Sequence, residues 1–146
     1  MNHDIGFEGK TVLLVEDELF LLQKISQQLE TLGFRDVLSA TNLADAKEHT
    51  DAEDISVALL DVNLADGETT IELGHELSSK SVPVVFFSGF SVDESAVLAA
   101  SHDFLEKPLS VPRIKAALQR ALLRSGSSRS GDGKQKMAGP EARQSG

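Results

Sequence analysis

Hydrophobic and polar positions along the chain alternate between two periods. Short runs that are apolar almost throughout occur at Lys10–Val15 (KTVLLV), Ile55–Leu60 (ISVALL) and Val82–Phe87 (VPVVFF), with briefer ones at Asp36–Ala40 and Asp103–Glu106. Runs of this length predict strands hidden on both faces, as in the middle of a parallel sheet. Between them the period is helical. Leu22, Ile25, Leu29 and Leu32 share one face, and Gly33 is a natural stop. Thr41 or Asn42 can cap a helix through about His49. Asp66-Gly67 makes a turn before a helix over Thr69–Ser79, with Ile71, Leu73 and Leu77 apolar. Pro83 belongs near a strand start, where a missing N–H does least harm. Ser91-Val92-Asp93-Glu94 fits a capping box before a short helix ending near Ala100. Ser110 caps a last helix, apolar at Val111, Ile114, Leu118, Ala121 and Leu122, that ends near Arg124.

Strand and helix thus alternate five times. Right-handed crossovers in such a chain give an α/β fold, a parallel sheet with helices on both faces. Residues 1–9 read as a polar lead-in and 10–124 as one domain. Residues 125–146 are rich in Gly and Ser, lack an apolar period and read as disordered.

Composition narrows the chemistry. The chain has no cysteine, which excludes a disulfide framework, thiolate metal sites and cysteine nucleophiles. No apolar run approaches membrane-spanning length and no signal-peptide pattern opens the chain, so a soluble cytoplasmic protein is expected. The net charge is −9, and the stretch from Ser125 onward carries four Lys/Arg and two Asp/Glu, so the preceding body is at −11. A body that acidic repels phosphate backbones, and direct nucleic-acid binding is not expected. His3, His49, His75 and His102 have no metal-ligand spacing.

The candidate chemistry lies where the strands end. Open α/β sheets bind ligands at the carboxyl ends of their strands. There the first strand delivers Glu16 and Asp17, the third Asp61, the fourth Ser88 and the fifth Lys107. If the first and third strands are neighbours, three carboxylates converge. Two such charges ~4 Å apart repel by about 4 kcal/mol at an effective dielectric near 20. A cluster of this kind wants a cation, and all-oxygen donors with few protein ligands suit Mg²⁺. A hydroxyl and an ammonium beside the same carboxylate make a place for a phosphoryl group. A carboxylate attacking phosphorus there would leave an aspartyl phosphate on Asp61.

VEDE, LLDVN, FFSG and FLEKP, in that order, resemble the receiver domain of two-component response regulators, and the likeness covers about residues 10–124. It implies a doubly wound, flavodoxin-like fold with strand order 2-1-3-4-5, and a histidine kinase or phosphotransfer protein as phosphoryl donor. By the same resemblance Asp61 is the phosphoacceptor. Asp17, Asp61 and the backbone carbonyl of Asn63 hold Mg²⁺ directly, and Glu16 acts through metal-bound water. Ser88 is the hydroxyl switch residue, Lys107 binds the phosphoryl group, and Phe104 takes the aromatic switch position, although Phe104 could equally be plain core. The Lys107-Pro108 bond is expected cis. Such a domain is a phosphoacceptor that assists its own phosphorylation and dephosphorylation rather than an enzyme.

The chain departs from that pattern in four places. Ala65 stands where many relatives have proline, and Thr69 and Thr70 where relatives often have glycine. Only 19 positions separate Ser88 from Lys107, a short span from which a truncated or mobile fourth helix is expected. Phe90 is bulky, and with Gly89 it could control water access to the acyl phosphate. Phe87-Ser88-Gly89-Phe90 resembles a subgroup of stand-alone receivers that work with HWE-type histidine kinases. With no effector domain after Arg124, output is expected through a separate downstream protein or as a phosphate sink. Two alternatives compete. A Mg²⁺-dependent phosphohydrolase usually wants a second acid two residues after the nucleophile, where this chain has Asn63. A pseudo-receiver that only binds a partner would have lost Asp17, Asp61 or Lys107, and all three are present.

Overall fold

Five parallel strands form the centre of the structure, a computed structural model that describes residues 6–89 and 103–132. In chain order the elements are β1 (Thr11–Val15), α1 (Leu19–Leu32), β2 (Asp36–Ala40), α2 (Leu43–Ala52), β3 (Val57–Asp61), α3 (Ile71–Ser79), β4 (Val84–Ser88), β5 (Asp103–Glu106) and α4 (Val111–Asp132). The strands lie in the order β2-β1-β3-β4-β5, each pair parallel. The chain steps outward from β1 to β2, then returns across β1 to β3. Strand order therefore reverses between β1 and β3, which opens a crevice at their carboxyl ends. The expected doubly wound architecture and strand order are those observed.

The pleat sorts the apolar residues into two cores. Val12, Leu14, Val57, Leu59, Val85 and Phe87 point to one face, where Leu22, Ile25 and Leu29 of α1 and Ile114, Leu118 and Ala121 of α4 cover them. Leu13, Val15, Ala58, Leu60, Val84 and Phe86 point to the other, under Ala46 of α2 and Leu73 and Leu77 of α3. One contact is tight enough to need a glycine: a Cβ at Gly74 in α3 would collide with the Phe86 ring.

Local signals act largely as the sequence suggests. Gly33 ends α1 in the left-handed region at φ 108°. Asn42 caps α2 by accepting the Asp45 N–H at 2.8 Å, and that helix runs three residues beyond His49, to Ala52. Pro83 precedes β4 and leaves its carbonyl to accept the Ala58 N–H. Two boundaries differ more. Strand β3 starts at Val57 rather than Ile55, because Ser56 turns its side chain to accept the Thr11 N–H at 3.0 Å. The last helix does not stop near Arg124 but continues to Asp132, so residues 125–132, expected disordered, are helical. A helix anchored on the core adds each further residue without a new nucleation step, which carries it into a poor sequence. The capping box at Ser91–Glu94, its helix to Ala100, and Phe90, His3 and His102 lie outside the described residues.

Candidate functional site

The crevice between β1 and β3 gathers the acids. Glu16 is the first residue past β1; its N–H donates to the Ala40 carbonyl at 3.1 Å, so the β-pairing runs one residue beyond the strand. Its side chain is 1% exposed. Asp61 closes β3 with a side chain 5% exposed. Asp17, half-buried, completes a group in which one carboxylate oxygen from each acid lies within 4.8 Å of the others.

Lys107 arrives from the end of β5. Its N–H donates to the Ser88 carbonyl at 2.9 Å, which carries the β4–β5 pairing past the strand and aims the side chain inward. The Nζ lies 3.0 Å from Glu16 Oε1 and 3.2 Å from Asp61 Oδ2, donating a hydrogen bond to the latter. The approach to Glu16 Oε1 is off-line for a hydrogen bond, and that buried oxygen has no hydrogen-bonding partner, so the contact is an ion pair. The lysine also sits over the Phe87 ring, 5.5 Å from its centroid. Gly89 makes room for the stem: a Cβ there would lie 3.3 Å from Lys107 Cδ. The Lys107-Pro108 peptide is cis, as expected.

Electrostatics follow from burial. Desolvation pushes the Glu16 carboxyl up to about 6, against the pull of the Glu18 N–H and of Lys107. Burial likewise raises Asp61, opposed by Lys107, by Glu16 and by the Asn63 N–H, which donates to its carboxylate. Burial lowers Lys107, but its close contact with Glu16 and the charges of Asp61 and Glu16 outweigh that, and the net shift is upward. Three carboxylates face one ammonium, leaving an excess of negative charge at an all-oxygen donor set. These residues fit a hard divalent cation such as Mg²⁺.

The remaining expected residues fall around this centre. Ser88, at the end of β4, is buried, and its strand pairs with β3 so that Asp61 lies beside Phe87. Asn63 is half-buried and bridges to Thr69. Phe104 is half-buried and packs on the Phe86 side of the sheet. Phe90 lies outside the described residues. Two contributors were not expected. The Ala65 N–H donates to Asp17 Oδ2, a bond that proline at this position could not make. Thr70, fully buried, donates its hydroxyl to the Asp61 carbonyl at 2.8 Å. Its place just before the apolar stripe of α3 marks a helix cap in sequence, but the hydroxyl caps the strand instead.

Comparison with known proteins agrees with this geometry. The family model for the response regulator receiver domain matches residues 12–119, and the chain belongs to that family. The transcriptional regulatory protein VxrB of Vibrio cholerae is 34% identical over 128 residues, which cover 86% of this chain and 51% of VxrB. The chain spans about half the length of the curated relatives it matches. A receiver domain from Clostridium thermocellum shares the fold with a TM-score of 0.70 at 22% identity, over 82% of this chain and 98% of that one. A response regulator from Burkholderia pseudomallei, solved with a phosphorylated aspartic acid, a calcium ion and citrate, does so with a TM-score of 0.69 at 20% identity, over 86% and 75%. Receiver domains are in general signalling domains that interact with histidine kinases or phosphotransfer proteins and typically bind Mg²⁺ at an acidic cluster. Among the described residues no helix is long and apolar enough to cross a membrane.

Proposed function

We propose that this receiver domain takes a phosphoryl group onto Asp61 from a histidine kinase or phosphotransfer protein, in the cytoplasm. The observation that carries the reading is Lys107 Nζ held between Glu16 Oε1 and Asp61 Oδ2 at the open end of the acidic crevice. An Asp61 oxygen forms the new P–O bond while the donor's P–N bond breaks, its electron pair leaving on nitrogen. Mg²⁺, held by Asp17, Asp61 and the Asn63 carbonyl with Glu16 acting through water, would neutralise charge on the phosphoryl oxygens. Lys107 binds one of those oxygens, and the Asn63 N–H, already on the Asp61 carboxylate, keeps the nucleophile in place. Ser88 is the hydroxyl drawn toward the new charge, and Phe104 the aromatic that follows it. Gly89 and Phe90 limit water access to the acyl phosphate. The resulting surface is read by a downstream protein, and the donor is of the HWE type.

Incubation with phosphoramidate and Mg²⁺ should add one phosphoryl mass, mapped to Asp61, and Asp61→Asn should abolish it. Modification of another residue would overturn the assignment. Lys107→Ala should still fold yet no longer couple phosphorylation to partner binding; a rise in partner affinity in that variant would remove Lys107 from its role. Phosphotransfer profiling against purified histidine kinases tests the donor, and transfer confined to kinases outside the HWE type would refute that part.

A further inference from the structure

The peptide that follows Asp61 is gripped from both ends, and one grip is a side chain. The β1–β3 pairing stops at Val15 and Leu60, one residue short of Asp61. Thr70 Oγ1 satisfies the Asp61 carbonyl at 2.8 Å, in a fully buried position. At the other end of the same peptide plane, the Val62 N–H donates to the Phe87 carbonyl at 2.8 Å. The Thr70 N–H also takes the Val62 carbonyl at 3.0 Å. A planar peptide bonded through both its C=O and its N–H cannot rotate about Asp61 ψ without losing one of those bonds. The Asp61 Cα–Cβ bond leaves the same Cα, so the base of the side chain is set with that plane, and the Lys107 bond to Oδ2 holds its far end.

We propose that Thr70 is a positioning residue for the phosphoacceptor: its hydroxyl locks the Asp61–Val62 peptide and thereby aims the Asp61 carboxylate at the incoming phosphorus. The inference rests on the reading of Asp61 as the acceptor. Thr70 touches neither donor nor phosphoryl group; it acts through the backbone of the nucleophile. Small misplacements of a nucleophile cost rate rather than binding, so the effect belongs in the rate at saturating donor. With phosphoramidate the reaction is balanced as it stands: Asp61 gains a P–O bond, and the P–N bond breaks with its electron pair leaving on ammonia.

The test uses the full chain, phosphoramidate and saturating Mg²⁺, with initial rates across donor concentration. Thr70→Val keeps the shape and removes the hydroxyl. It should lower the saturating rate about tenfold and leave the half-saturating donor concentration within about twofold, whereas Thr70→Ser should restore the rate. Leu29→Ala, a cavity in α1 on the opposite side of the fold from Thr70, serves as the stability control and should keep the wild-type rate while it remains folded. Should Thr70→Val not fold, Thr70→Cys, a weak donor in a similar volume, takes its place with a several-fold loss expected. A wild-type rate in the valine or cysteine variant, no rescue by serine, or an equal loss in Leu29→Ala would overturn the inference. If the wild-type chain itself gains no phosphoryl group on Asp61, the underlying reading falls as well; if it does and Thr70→Val matches it, only the role of Thr70 falls.

Discussion

Glu16 is the residue at which burial and charge conflict most plainly. Its carboxyl holds a proton up to about 6 instead of 4.5 because desolvation outweighs its partners. Between those values the folded chain binds more protons than the unfolded chain, so stability falls as pH rises through that window. Asp61, also raised by burial, adds with the same sign. Lys107 adds no slope there, since its raised value affects stability only at the alkaline end. Denaturant titrations in chelated buffer should therefore show stability dropping from about pH 4.5 to about pH 6, with a smaller drop in Glu16→Gln. A rise over the same interval would contradict the burial argument. Most of this site was legible in the chain, because acids and a lysine directly after apolar runs stand at strand ends. Thr70 and the Ala65 N–H were not: a hydroxyl and a backbone amide act through contacts across the loop that no spacing encodes.

At the level of elements, the strands were legible wherever an apolar run ends sharply. β2 at Asp36–Ala40 and β5 at Asp103–Glu106 fall where expected. The end of α4 was not legible, because Gly and Ser composition argues against helix while the anchored turns before it carry the helix on. The packing of α3 on β4 was equally hidden, since the closeness of Gly74 to Phe86 depends on how the two elements approach. Gly74→Ala should destabilise the fold by about 1–3 kcal/mol, the usual cost of overpacking a core, and Phe86→Leu in the same chain should recover part of it. Thermal melts of the single and double variants check this, and additive losses would show that the two positions do not share a contact. Asn42→Ala should cost about 1 kcal/mol through the lost cap of α2.

The molecule as a whole consists of two apolar cores on a rigid sheet and a negatively charged crevice at one rim. A ligand that binds only the folded state stabilises it by mass action, by about 2.7 kcal/mol at a hundredfold excess over its Kd. Mg²⁺ should accordingly raise the melting temperature in a concentration-dependent way, and Asp17→Asn should abolish the rise. An unchanged melting temperature in wild type would remove the cation from the reading. Relief of repulsion also predicts that Asp61→Asn melts higher than wild type in chelated buffer, although it leaves Lys107 with one acidic contact fewer.

The bond from Ala65 to Asp17 ties the segment after β3 directly to the loop that follows β1. A pyrrolidine ring in that position would have stiffened the segment by its own covalent shape, whatever the neighbouring charges did. Here the stiffness is borrowed from a carboxylate on another part of the chain, so whatever engages Asp17 is felt by the stretch that carries Asn63 and Thr70.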